Sequence, residues 1–238
     1  MSKAVALSSA ARGAATPRVV PFALFLSCVG IEEALRFLKD REWIALGEQD
    51  ILLLYPARAL LTGAALFLFR QRYAEISFRD GAERGLLLGI LAGLLVFILW
   101  IQMEWTMAYA GKPAGYNPGL LGEGSLSGGL ITGIRFAGAV LIVPVMEELF
   151  WRSFLLRRLI RADFREVPVG QFTWPSFLAT TLLFGMEHHF FFAGIMAGTV
   201  YALLLYRTKS IFLCIIAHAV TNAALGLYVL HTGKWQFW

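Results

Sequence analysis

The chain has 238 residues, of which 58% are hydrophobic and only 16% are charged. A water-soluble domain carries charge on about a quarter of its positions, so this composition excludes an ordinary soluble enzyme or binding domain. The net charge of +5 does not indicate a nucleic-acid partner, because the basic residues alternate between loops and do not form one patch.

Seven apolar stretches have roughly the length that a membrane-spanning helix needs, which is about 20 residues. They predict an all-α, polytopic membrane helical bundle of about seven transmembrane helices, with a range of six to eight. We expect one integral membrane domain over 1–238, with the longest break, 104–128, as an outer loop. The predicted spans are 19–38, 51–69, 85–103, 129–156, 174–189, 190–206 and 211–230.

The Lys and Arg residues of the connecting segments predict the orientation of the bundle. If the N-terminus lies inside, the inner segments hold thirteen basic residues and the outer segments hold four. The positive-inside rule therefore predicts a cytoplasmic N-terminus. We expect a multi-pass protein of the plasma (inner) membrane.

Ionisable side chains inside apolar spans need an explanation, because a charge near the bilayer centre costs about 2.5–3.5 kcal/mol even on insertion scales. The first such set is Glu32 and Glu33 in the first span, with Arg58 in the second. Their similar predicted depths indicate an ion pair. The sequence leaves open whether this pair is a structural clamp or whether Arg58 binds a carboxylate of a substrate.

The fourth predicted span carries three charged residues in the segment EELFWR. Glu148 and Arg152 are four residues apart and share a helix face, so we predict a structural ion pair. Glu147 lies about 100° around the helix from Glu148 and has no such partner. We therefore predict that Glu147 points into the bundle and acts in chemistry.

Two later predicted spans carry histidines at helical spacing. His188 follows Phe184 by four residues, and Asn222 follows His218 by four residues. A rise of 1.5 Å per residue places both histidines, Asn222 and Glu147 in one layer near the bilayer midplane. We predict that Phe184 packs against His188 and orients it.

The residues that flank His188 have no predicted role in the reaction. Glu187 and His189 are expected to lie on other faces, as supporting or loop-facing residues.

A carboxylate, two imidazoles and an amide in one water-poor layer are suited to hydrolysis. Glu147 is a competent general base for a trapped water in such a layer. His188 is placed to share that water or to protonate the leaving amine. His218 and Asn222 are donors for the oxyanion that forms.

The three motifs EELFWR, FGMEH and HAVTN resemble those of the CAAX protease and bacteriocin-processing (CPBP) family, also called the Abi family. The resemblance covers about 130–230 and implies an intramembrane glutamate protease. It implies that Glu147 and His188 activate water, that His218 and Asn222 bind the oxyanion, and that no metal is required. The segment EELFWRSFLLR is also similar to the CAAX prenyl protease-related subgroup associated with exosortase sorting systems.

The predicted function is therefore an intramembrane endopeptidase that cuts a membrane-associated protein or peptide tail, with the lipid bilayer as its surroundings and no cofactor. One alternative is a catalytically silent membrane scaffold or immunity protein of the same fold. Another is a zinc-dependent membrane metallopeptidase. A transporter is a third, although no inverted repeat of two halves is visible.

Overall fold

The computed structural model describes residues 3–76, 82–106, 115–122 and 126–238. Within these ranges the chain forms helices and short connections, and no strand occurs. Six of the helices are long and apolar enough to cross a membrane. The prediction of an all-α membrane bundle with six to eight spans is confirmed.

The helices run through the described part of the chain with few long connections. In chain order they are α1 (Lys3–Asp40), α2 (Glu48–Leu52), α3 (Leu54–Phe69), α4 (Ala82–Gln102), α5 (Leu126–Arg158), α6 (Trp174–Met186), α7 (Phe191–Thr208) and α8 (Ile211–Thr232). Single turns of 3₁₀ helix lie at Arg70–Arg72, Met103–Thr106, Pro118–Leu121, Phe164–Glu166 and Trp235–Phe237.

The predicted span 174–189 differs from the others because it is helical only over α6. Thirteen residues make a helix of about 20 Å, shorter than the hydrocarbon core of about 30 Å. The chain then turns at 187–190 and returns as α7. Gly185 and Gly194 permit this tight hairpin, because a Cβ on Gly194 would lie 2.9 Å from the Cα of Gly185.

Helix α5 is continuous but not regular. It is π-helical over Gly138–Ile142 and again over Leu149–Leu155. Pro144 lies two residues after the end of the first of these turns. Because proline has no N–H and its ring crowds the carbonyl four residues earlier, it favours such a local widening of the helix.

Helices α4 and α8 pack closely along a row of glycines. A Cβ on Gly93 would lie 2.3 Å from the carbonyl oxygen of Ala217, and one on Gly85 would lie 2.5 Å from the side chain of Leu213. The hydroxyl of Thr221 also donates to the Gly93 carbonyl at 2.8 Å. This contact fixes α8, the helix that carries His218.

The end of the bundle near the start of α1 is tied together by a buried ion pair. Arg18 donates from Nε and Nη2 to the two carboxylate oxygens of Glu75, at 2.7 and 2.6 Å, and Ser153 also donates to Glu75. Burial raises the pKa of Glu75, but the hydrogen bonds from Arg18 and Ser153 outweigh it, so that the net pKa lies below its usual range. Glu75 therefore stays ionised at neutral pH.

The orientation and the single-domain organisation over 1–238 remain predictions. Among the described residues, basic side chains gather at the end of the bundle where α3 and α7 finish and where α5 is followed by a basic connection, as the charge count requires. These are Arg70, Arg72, Arg157, Arg158, Arg161, Arg165, Arg207 and Lys209. Arg79, Lys112 and much of the predicted outer loop 104–128 lie outside the described residues.

The Gly93 contact predicts the result of a single substitution. Gly93→Ala should lower the thermal unfolding temperature in detergent, because overpacking against a backbone carbonyl costs about 1–3 kcal/mol. Gly133→Ala is the matched control, since a Cβ there meets nothing within 4 Å and alanine is the better helix former. Equal stability of the two variants would contradict the close α4–α8 packing.

Candidate active site

A cavity of about 310 Å³ lies between α1, α3, α4, α5 and the helices α6 to α8. All four residues that the sequence predicts as reacting groups line it. They come from three separate parts of the chain: Glu147 from α5, His188 from the α6–α7 turn, and His218 and Asn222 from α8.

Glu147 is the carboxylate of this cavity that is free to act. Its side chain is buried, with 4% of the residue exposed. Its Oε2 atom is buried without a hydrogen-bond partner. Among the described residues, Nε2 of His218 is the basic atom that approaches this oxygen to 4.0 Å. A water or substrate group in the cavity can therefore bond to Glu147 without breaking a protein contact.

Glu148 is fully buried and holds two cationic or polar partners at once. Its Oε1 lies 3.2 Å from Nη1 of Arg152 and 3.0 Å from Nδ1 of His218. The guanidinium of Arg152 also stacks 4.4 Å from the ring centroid of Phe184. Glu148 thus joins α5 to α8, a contact that sequence spacing within α5 could not indicate.

The hydrogen bond to Glu148 determines which nitrogen of His218 carries a proton. An ionised carboxylate has no donor and can only accept hydrogen bonds, so Nδ1 of His218 donates to Glu148. In the neutral imidazole, Nε2 then has no proton. His218 can donate from Nε2 only as an imidazolium. The ring of Tyr201 stacks on that of His218, with centroids 5.0 Å apart.

His188 is held in one orientation by the end of α6. Its Nδ1 lies 2.7 Å from the carbonyl oxygen of Phe184, and because a carbonyl only accepts, Nδ1 is the donor. Nε2 of the neutral ring is then an acceptor. The imidazole also packs against Phe184, with ring centroids 4.7 Å apart. The geometry therefore gives Phe184 a hydrogen bond to His188 besides the packing contact.

Asn222 uses part of its donor capacity within the protein. Its Nδ2 donates to the carbonyl oxygen of Ala139 at 2.8 Å. Val143 donates its N–H to Gly138, five residues earlier, and Pro144 has no N–H to give. The irregular turn of α5 thus leaves the Ala139 carbonyl available to Asn222. One hydrogen of Nδ2 remains for a group in the cavity.

Glu187 was predicted to be a supporting or loop-facing residue. The structure places it in the wall of the cavity. Nε1 of Trp151 donates to Oε2 of Glu187 at 2.9 Å. The sequence contains a signal for this contact. Glu187 is an intramembrane carboxylate next to the motif residue His188, so it needs a hydrogen-bond donor, and Trp151 of the first motif is such a donor.

The polar set near the last turns of α1 and the first turns of α3 contains one ion pair. Nη1 of Arg58 donates to Oε2 of Glu32 at 3.1 Å, whereas Glu33 is exposed and outside this pair. Arg58 lines the inner cavity and also a second, outer cavity of about 470 Å³, which Glu32 and Glu33 line as well. The two cavities share several wall residues, so the outer one lies directly beside the inner one.

Within the described ranges, no group of three or more His, Cys, Asp and Glu side chains is arranged to hold a metal ion. At the centre of the site, Glu148 and His218 form an ion-paired set with Arg152, His188 bonds to the Phe184 carbonyl, and Glu147 keeps an oxygen without a partner.

Residues 130–224 match the protein family described as Type II CAAX prenyl endopeptidase Rce1-like. The resemblance to CAAX proteases is confirmed over this segment. The Rce1-like segment contains EELFWR, FGMEH and HAVTN, and hence the four cavity residues named above. No curated protein and no solved structure shows significant similarity to the chain.

The match and the apolar helices together support a coarse description of the protein. It is an integral, multi-pass membrane protein whose Rce1-like segment supports a CAAX-type protease activity at the level of the family.

The buried contact of Arg152 predicts a large effect on stability. Arg152→Met leaves the Glu148 charge with one partner fewer, and breaking a buried pair costs about 3–5 kcal/mol. The double variant Glu148→Gln/Arg152→Met should be more stable than Arg152→Met alone, measured by thermal unfolding in detergent. Arg161→Met is the control, because Arg161 is exposed in its ion pair. Wild-type stability of Arg152→Met would contradict this assignment.

Proposed function

We propose that the chain is an intramembrane glutamate-type endopeptidase that hydrolyses a peptide bond in a membrane-associated protein or peptide tail. The observation that carries this proposal is that Glu147 lines one cavity with two histidines and an amide, while its buried Oε2 has no hydrogen-bond partner. The family match to CAAX endopeptidases supports the same reaction.

Glu147 and His188 act on the attacking water. Both present an acceptor to the cavity, the carboxylate oxygen of Glu147 and Nε2 of His188, so one water can donate to both. As the water oxygen bonds to the scissile carbonyl carbon, Glu147 takes its proton. General base catalysis by a positioned side chain contributes about 10²–10⁴-fold to the rate.

His218 and Asn222 act on the carbonyl oxygen of the same peptide bond. His218 donates from Nε2 when its imidazole is protonated, and Asn222 donates with its remaining Nδ2 hydrogen. Fixed donors in a water-poor site stabilise the oxyanion of the tetrahedral intermediate. The C–N bond then breaks as the leaving amine receives the proton from Glu147, which yields a carboxylic acid and an amine.

The substrate approaches through the outer cavity. That cavity lies at the end of the bundle opposite the basic connections, among the last turns of α1 and α4 and the segment 236–238. In the predicted orientation this end faces away from the cytoplasm. The family name indicates a prenylated CAAX tail as the first substrate to test, whereas the predicted orientation favours a tail exposed on the outer face of the membrane.

The assigned base predicts the outcome of a conservative substitution. In liposomes containing the purified protein and a farnesylated CAAX peptide, or its unprenylated counterpart, Glu147→Gln should lower kcat by at least about 10²-fold. His188→Ala should act similarly. Glu166→Gln, which changes an exposed carboxylate, should leave the rate unchanged. Unchanged turnover in a folded Glu147→Gln protein would falsify the assigned base.

The proposed chemistry also predicts insensitivity to metal removal. Because the reaction is assigned to side chains of the chain alone, cleavage should continue at the same rate after dialysis against EDTA or 1,10-phenanthroline. Loss of activity that added zinc restores would favour the metallopeptidase alternative.

A further inference from the structure

Arg135 is a cation in the wall of the catalytic cavity that has no ionic partner within the described ranges. Its guanidinium is held by aromatic rings, 4.3 Å from the centroid of Tyr55, 4.9 Å from that of Tyr116 and 5.9 Å from that of Trp238. Its Nε is buried without a hydrogen-bond partner. Stacking on rings occupies the faces of a guanidinium and leaves its in-plane N–H donors available.

Arg58 lies against the other side of the same arrangement. Its guanidinium is 4.8 Å from the centroid of Tyr55, so one ring contacts both arginines. Arg58 is buried, with 7% of the residue exposed, and its Nε also has no partner. Glu32 neutralises one of the two guanidinium groups, which leaves this pair with one net positive charge.

We propose that Arg135, with Arg58 beside it, binds the free C-terminal carboxylate of the substrate. This rests on the proposed function, because both arginines line the cavity that holds Glu147. A chain terminus that enters an apolar cavity brings a charge that is costly to bury without a cation. A guanidinium with free in-plane donors matches a carboxylate in geometry and charge.

The position of Arg135 limits where the substrate is cut. Arg135 and Glu147 are twelve residues apart on α5, which corresponds to about 18 Å. An extended peptide covers this length with about five residues. The scissile bond should therefore lie within about five residues of the substrate's C-terminus.

The proposal can be tested by binding, independently of cleavage. The probe is a fluorescent farnesylated CAAX peptide, prepared with a free C-terminal carboxylate and again with a C-terminal amide. Affinities are measured in nanodiscs for the Glu147→Gln protein, which is the expected slow form. The carboxylate peptide should bind about tenfold tighter or more. Adding Arg135→Gln should reduce this preference to near one.

Arg36→Gln is the matched control, because Arg36 lines the outer cavity but is already paired with Glu48 at 2.6 Å. It removes one positive charge from the same region and should keep the preference for the carboxylate. Equal or undetectable binding of the two peptides, or a preference that survives Arg135→Gln, would overturn the proposal.

Two further outcomes distinguish a failure of the proposed function from a failure of the carboxylate site. If the binding preference holds and wild-type protein cleaves neither peptide, the proposed function fails while the carboxylate site stands. If phosphatidylglycerol in the nanodisc stabilises wild type over Arg135→Gln and the two peptides bind equally, Arg135 holds a lipid headgroup and the substrate assignment is wrong.

Discussion

The buried contact of Glu148 with Arg152 and His218 is the interaction on which the site depends. It places one carboxylate between α5 and α8 and gives partners to a charge that would otherwise be too costly in an apolar interior. It also fixes the orientation of His218. Because Glu148 takes Arg152 and the Nδ1 hydrogen of His218, Glu147 keeps a carboxylate oxygen without a hydrogen-bond partner and remains available to a water. Two adjacent glutamates thus have different environments and different roles.

The backbone of α5 and the packing around it set the shape of the site. Pro144 and the π-helical turns place Glu147 and expose the Ala139 carbonyl to Asn222. The row of glycines on α4 lets α8 approach closely enough for His218 to reach Glu148. The short helix α6 ends where the polar turn with His188 enters the cavity. Local irregularities that weaken individual helices therefore create the enclosed space that the chemistry needs.

The sequence predicted what spacing along one helix can determine. The i, i+4 relation placed Glu148 beside Arg152, and counting by rise placed Glu147, His188 and His218 at one depth. It did not predict contacts that depend on how neighbouring helices are rotated, such as Glu148 to His218. The family resemblance supplied the order of the motifs, and the match over 130–224 agrees with it.

Arg58 and Arg135 show which contacts the spacing of residues in the sequence can predict and which it cannot. Depth counting paired Arg58 with Glu32 or Glu33, and the structure contains the ion pair with Glu32. The position of Arg135 is not predicted in this way, because nothing in the sequence places it against Tyr55 and Tyr116. Aromatic contacts from α3 and from the segment after α4 hold it at the cavity. These contacts join residues that are far apart in the sequence, so the spacing of charged residues does not indicate them.

The central claim is that Glu147 is the base of a membrane protease, and the termini of membrane proteins in cells test it most directly. We expect cells that produce the wild-type chain to contain shortened protein termini that are absent from cells producing Glu147→Gln at equal abundance. Identical sets of termini in the two cell lines, with both proteins folded in the membrane, would contradict the account.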